Sequence, residues 1–381
     1  MADRALPLPK TVQTPSWWAL ALGLVLVLLI LVSQRERAFT GRNDFAQLWV
    51  SARLVGTPQL YDVTASNALQ KQALGLVIDN VSPSRPPFYG LLFKPLGWLP
   101  YELAFWTFEL LSIACLAGFV WINLRRVPEL AVLCCFSLPV IANLANGQDL
   151  ALVIFFVAIA LSQLERKRDF LCGMVLTLCA IKFHLFLLVP LVPLIHRRWK
   201  IVGGGAVGIG ILLALSFLVQ GPGWMPVYVR VLRNPTLSPG AEFMPNLHGA
   251  LQTLGASSNA EIGACVVVAL LVAYLIWREP DFEMALGWAL LGGLLVSFHA
   301  YLQDAVVLLP VLVAVLTKVA ITPLRHLMTI AMLPPVHLML LAGSPYSAVC
   351  AAFMVVILVV AAAYAVRRQM ATSAVPHPIG W

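Results

Sequence analysis

The stretch GRNDFAQLWVSARLVGTPQLYD, residues 41–62, gathers residue types that can do chemistry into one polar segment of an otherwise oily chain. It carries Asp44 and Asp62, Arg42 and Arg53, Trp49 and Tyr61, directly after the first long apolar run. Phe45, Leu48, Trp49 and Ala52 recur at i, i+3, i+4 and i+7, which predicts an amphipathic helix. At that place in the chain the helix is expected to lie along the bilayer interface, with Asp44 at its mouth facing a lipid-borne substrate. A carboxylate so placed can take a proton from a hydroxyl. It can equally be a helix cap, because Asp44-x-x-Gln47 is a capping-box variant. The two roles are compatible. Asp62, after Tyr61, reads as the start of the next helix or as a turn.

Other polar residues stand out against the apolar runs. Lys182 and His184 fall between the runs 170–181 and 185–196 and predict the turn of a helix hairpin. Ionisable groups near membrane depth are costly and point to function. A lysine there suits a lipid phosphate, unless it simply snorkels to the interface. Arg85 is a second phosphate candidate. In Asn146-Gly147-Gln148-Asp149 the first two residues are turn formers; Gln148 and Asp149 either cap the next helix or bind a ligand. His299, Gln303 and Asp304 surround another turn at i, i+4 and i+5, and His248 lies in PNLHGAL. These are candidates for ligand binding, as is His184. No HExxH, DxD or paired-histidine spacing occurs, so no metal is expected.

The elements that must position these residues are membrane helices. The chain is 60% hydrophobic and 11% charged, with mean hydropathy +0.88, which excludes an ordinary soluble domain. Its net charge of +8 comes as clusters between apolar runs and reports topology, not nucleic-acid binding. The seven cysteines lie inside apolar runs with no CxxC and read as small core residues. The fold class is all-α and polytopic, with about twelve spans (10–13). They are placed near 17–32, 101–124, 129–144, 150–164, 170–181, 185–196, 201–219, 261–277, 283–298, 304–318, 323–342 and 346–366.

Residues 1–16 and 367–381 are expected as cytoplasmic tails around one transmembrane domain, 17–366. Within it, 33–100 forms the first extracytoplasmic loop, with interface helices and a membrane-dipping segment at 88–99. This alternation puts Arg125, Arg126, Arg166, Lys167, Arg168, Arg197, Arg198 and Lys200 inside, as the positive-inside rule requires. It puts Asp44, Arg85, Gln148, Asp149, Lys182, His184, His248, His299, Gln303 and Asp304 on the outer side.

Four pieces in this order resemble glycosyltransferase family 87, whose multi-helix fold is called GT-C. They are NDFAQLWVSARL with LYD (43–54, 60–62), RPPFYGLLFKPLGWLPY (85–101), NGQD (146–149) and GMVLTLCAIKFHLFLLVPLVPLIHRRWK (173–200). The resemblance implies an inverting transferase that moves a sugar, typically mannose, from a polyprenyl-phosphate carrier to a glycolipid or polysaccharide on the extracytoplasmic face of the plasma membrane. Asp44 matches the position of the family's catalytic acid. Lys182-Phe183-His184 stands where the family often has Lys-Pro-Gln, and Arg85 replaces an aromatic. The expectation is therefore Asp44 as general base, Lys182 with Arg85 on the donor phosphate, Gln148, Asp149, His184, His248, His299, Gln303 and Asp304 on the sugar or acceptor, no required cofactor, and a monomer among membrane lipid. A transporter or flippase of lipid-linked sugars, or a non-catalytic assembly subunit of the same fold, are the competing readings. No internal repeat of the kind common in transporters is evident.

Overall fold

A computed structural model describes residues 17–78, 80, 83–234, 240–346 and 348–373; the expected tail 1–16 lies outside the described residues. Among those residues all regular structure is helical. The chain begins with α1 (Trp17–Ser33), α2 (Arg35–Ala38), α3 (Phe45–Leu54), α4 (Val63–Leu74), α5 (Pro87–Leu92), α6 (Lys94–Gly97) and α7 (Tyr101–Asn123). Next come α8 (Leu130–Phe136), α9 (Leu138–Ala145), α10 (Leu150–Glu165), α11 (Asp169–Leu176), a 3₁₀ segment (Thr177–Phe186) and α12 (Leu191–Ile195). The second half holds α13 (Trp199–Gln220), α14 (Trp224–Leu232), α15 (Leu247–Thr253), α16 (Ser258–Arg278) and α17 (Phe282–Val296). A 3₁₀ segment (Leu302–Val307) leads into α18 (Leu308–Lys318), α19 (Thr322–Met332), α20 (Pro334–Leu341) and α21 (Ala348–Ser373). The last helix runs past the expected tail boundary at 367.

Five helical passages are long and apolar enough to cross a membrane: α7, 169–186, α13, α16 and α21. The pair α9–α10, bent by 120°, makes a sixth if counted as one span. The expected twelve crossings are not seen. Several apolar runs are interrupted: 129–144 divides into α8 and α9 just before Pro139, and 323–342 divides at Leu333, before Pro334 and Pro335. The arms 170–181 and 185–196 do form a hairpin, since the backbone kinks at Lys182 (φ −119°, ψ 50°) and Arg198 returns to within 3.6 Å of Asp169. Each arm alone is a dozen residues and reaches about 20 Å, so 169–186 attains membrane-crossing length only by running on through the kink at Lys182.

Three helices join two polar ends of the bundle. α10 starts at Asp149 and, roughly 24 Å on, ends at Glu165 beside Arg126. α17 starts at Glu283, which Arg126 meets at 2.7 Å, and ends just before Ser297 and His299. α18 follows Asp304 and finishes at Lys318, 2.9 Å from Glu283. One end thus gathers the basic clusters; the other gathers the candidate site residues.

α3 is covered by protein on nearly all sides and does not lay an open apolar face on its surroundings. Phe45, Ala46, Leu48, Trp49, Val50, Ser51, Ala52 and Leu54 are all buried, and Arg53 alone is exposed. The short helices α5 and α6 close over it, where glycines permit backbone contact. A Cβ on Gly97 would come within 2.8 Å of the Ala52 carbonyl, and one on Gly90 within 2.7 Å of the Ser51 oxygen. The same device joins α11 to α13: Cβ atoms on Gly173 and Gly204 would collide with the Ile201 and Phe170 carbonyl oxygens.

Candidate active site

Asp44 reaches its position through Asn43. The Asn43 amide donates to the carbonyls of Arg37 (2.8 Å) and Ala145 (3.1 Å), and its Oδ1 accepts the Phe45 N–H at 3.0 Å. Asn43 therefore caps α3 and ties it to the turn after α9. Gly147 permits that approach: its φ is +60°, and a Cβ there would lie 2.7 Å from the Phe45 Cβ. The Asp44 side chain makes no cap hydrogen bond. Relieved of capping, it turns to Gln148, whose Nε2 donates to Asp44 Oδ2 at 2.5 Å. The capping box with Gln47 does not form. Asp62 does cap α4, accepting from the Thr64 N–H at 2.8 Å.

Gln148 is oriented from its other side. Its Oε1 accepts from Lys182 Nζ at 2.9 Å, and the same ammonium donates to Asp304 Oδ1 at 3.0 Å and lies 3.6 Å from Asp149. Asp149 also faces Arg85 at 3.4 Å. Arg85 gives its other nitrogen to the Ile181 carbonyl (2.5 Å) and stacks on the Tyr89 ring at 5.2 Å. Asp304 is completed by the Tyr301 N–H at 2.8 Å. Asp149 and Asp304 are each 1% exposed and Lys182 is 3% exposed, so this is a buried ionic cluster; Asp304 is hydrogen-bonded within it, whereas both Asp149 oxygens have cationic neighbours at 3.4 and 3.6 Å but no hydrogen bond among the described residues. Lys182 stands between two carboxylates, where a bound cation would otherwise be called for. Among the described residues no three of His, Cys, Asp and Glu converge as metal ligands.

These groups form the floor of a cavity of about 1020 Å³. Asp44, Arg85, Gln148, Asp149, Lys182, His299, Gln303 and Asp304 line it. His184 and His248 do not. His184 is buried behind the wall against Phe298 and His299, with its Nε2 unbonded; His248 pairs with Glu261 at 2.8 Å. Sequence reasoning missed Arg37, Tyr89 and Tyr301, which also line the cavity. Tyr89 and Tyr301 lay inside stretches already singled out, whereas Arg37 gives no signal beyond its charge.

Burial raises the Asp44 pKa, opposed by the Gln148 hydrogen bond and by the charges of Lys182 and Arg37. Burial lowers His299 to about 4, leaving a neutral ring near pH 7, and pushes Tyr301 up to about 12, leaving its hydroxyl protonated. The site thus offers one part-exposed carboxylate, fixed on one oxygen and open on the other side to a chamber of polar and aromatic walls. That arrangement suits removal of a proton from a hydroxyl bound there.

The opposite wall is apolar: Ile30 of α1, Leu138, Ile141 and Ala142 of α9, and Leu340 of α20. The cavity thus has both charged and aliphatic lining, within a helical bundle that includes membrane-length helices. Residues 85–302 match glycosyltransferase family 87, and with more than half its length so matched this chain belongs to that family of glycosyltransferases. The match includes Arg85, Gln148, Asp149, Lys182, His184, His248 and His299; Asp44, Gln303 and Asp304 fall outside it. No match is found among curated proteins, nor among solved structures.

Proposed function

We propose that the protein transfers a hexose, mannose being the first choice, from a polyprenyl-phosphate carrier to the hydroxyl of a glycolipid or polysaccharide. The observation that carries this reading is Asp44: a carboxylate at a helix start that leaves capping to Asn43 and opens into the large cavity. In the step proposed, Asp44 takes the acceptor's hydroxyl proton as that oxygen bonds to the anomeric carbon. The bond from that carbon to the phosphate oxygen breaks, and the carrier leaves as a polyprenyl phosphate with one more negative charge. The leaving group needs no proton, so a single carboxylate suffices. Attack from the face opposite the phosphate inverts the anomeric centre.

Gln148 holds Asp44 in place, and Lys182 holds Gln148. Lys182 and Arg85 were expected on the donor phosphate; their hydrogen bonds and ion pairs go to protein acceptors, which supports a role in maintaining the acidic floor. Tyr89, His299 and Tyr301 supply faces and donors for a sugar ring, and no metal or other cofactor is assigned a step. The basic end of the bundle is placed in the cytoplasm by the positive-inside rule, so the cavity opens on the extracytoplasmic side of the plasma membrane. The test uses purified protein in lipid with polyprenyl-phosphate-[14C]mannose and a mixed glycolipid extract. Wild type is expected to make a labelled glycolipid, while Asp44→Asn falls by about 10²–10⁴-fold. Equal transfer by both would remove Asp44 as the base. A scaffold subunit or a flippase predicts no labelled glycolipid from either.

A further inference from the structure

Three cations line the cavity among the described residues: Arg37, Arg85 and Lys182. Two are committed. Lys182 is buried with Gln148, Asp149 and Asp304 around its ammonium, and Arg85 serves Asp149 and the Ile181 carbonyl. Moving Lys182 onto a ligand would take the cation from Asp304, and moving Arg85 would leave Asp149 with Lys182 alone at 3.6 Å; both carboxylates are 1% exposed. Arg37 differs. It is exposed, and among the described residues its guanidinium makes one hydrogen bond, a long one of 3.5 Å to the Asn146 Oδ1.

Its position is equally specific. Arg37 lies in the short α2, just after α1; Ile30 of α1 and Gln34, between the two helices, also line the cavity. α1 packs on α8 through Gly23, against Cys135 and Phe136, while Leu22, Leu24, Val25, Leu28 and Leu29 remain exposed on its other faces. The aliphatic wall of the cavity is therefore bounded by a peripheral helix whose outer faces are apolar and exposed. Arg37 stands where that wall meets the polar floor, close enough to Asp44 to stabilise its charge.

We infer that Arg37 is the residue that binds the phosphate of a lipid-linked ligand, whose chain enters from the bilayer along Ile30, Leu138, Ile141 and Leu340. The inference rests on the lipid-phosphate reading above and names its anion-binding residue. In the proposed transfer the phosphate gains a negative charge as the carrier leaves, so an exposed guanidinium that can close onto it contributes most at that moment.

Native mass spectrometry of the purified full-length protein, titrated with undecaprenyl phosphate, undecaprenol or inorganic phosphate, tests this without turnover. Undecaprenyl phosphate should bind the wild type more tightly than undecaprenol does. Arg37→Ala should weaken undecaprenyl phosphate by about ten- to a hundredfold and leave undecaprenol unchanged. Arg37→Lys should recover part of the loss, and Arg35→Ala, a neighbouring exposed cation outside the cavity lining, should match the wild type. Arg37 being exposed, these variants are expected to fold. Tight undecaprenyl phosphate binding that Arg37→Ala does not weaken would overturn the assignment of Arg37 alone. Equal binding of the phosphate and the alcohol by the wild type would overturn the lipid-phosphate reading and Arg37 with it. Displacement of the lipid by millimolar inorganic phosphate would make the seat one for free anions and overturn its link to the chain.

Discussion

At the scale of single residues, Asp44 works through what surrounds it. Burial raises its pKa, while Gln148, Lys182 and Arg37 pull it back down. A general base must be ionised, so activity falls as pH drops through that raised value, and the acid limb of kcat/KM should lie above the ordinary aspartate range. Gln148→Ala removes a contribution that lowers the pKa; the acid limb should move further up, which a pH series on both proteins reads directly. Lys182 makes a different prediction. Lys182→Met leaves Asp304 without its cation in a buried site and should cost about 3–5 kcal/mol of stability. Adding Asp304→Asn should restore much of it in a thermal-unfolding assay, whereas a lysine that only met substrate would leave stability unmoved. The sequence made Asp44, Gln148, Asp149, Lys182 and Asp304 candidates one by one, from polarity in oily surroundings. It could not show that Lys182 faces three protein acceptors, because those contacts join residues 34 and 122 positions apart. His184 and His248 looked equivalent to His299 for the same reason; only packing sends them behind the wall or to Glu261.

At the scale of elements, the period of α3 was legible and its surroundings were not. Four apolar residues on one face fit an interface helix, yet the other face carries Ala46, Val50 and Ser51, small enough for neighbours to cover. The cover comes from α5 and α6, and it depends on glycine. Gly97→Ala would place a methyl group 2.8 Å from the Ala52 backbone, so α6 must lift from α3. A loss of about 1–3 kcal/mol is expected from such overpacking. Since α3 carries Asp44, transfer should fall along with the melting temperature. Gly203→Ala, in an open position on α13, should leave both near wild type. Span counting failed for a related reason. Hydropathy marks apolar runs but not how far each travels, and α8, α9, α12 and α20 are short pieces whose ends meet protein as well as lipid.

At the scale of the whole molecule, the charge pattern was the most readable feature, because it is local in sequence and additive over loops. Arg126, Arg198, Glu283 and Lys318 do assemble at one end of the bundle, and the cavity opens at the other. Exposed tryptophans mark the basic end as well: Trp121, Trp199 and Trp277 flank its arginines and lysines, as expected for side chains at a membrane–water boundary. This polarity fixes a topology experiment. The turn after α13, with Gly221 and Gly223, lies at the cavity end, since Gln220 bonds Gly56 and Thr57 there. Lys167, between α10 and α11, lies at the basic end. The native cysteines sit in helical segments, buried or half-buried, and give a low background to thiol labelling. In intact cells a membrane-impermeant maleimide should label Gly223→Cys at once and Lys167→Cys only after permeabilisation. The reverse order would put the cavity in the cytoplasm, where the hydroxyl acceptor would have to be met before export and the extracytoplasmic transfer proposed above could not occur.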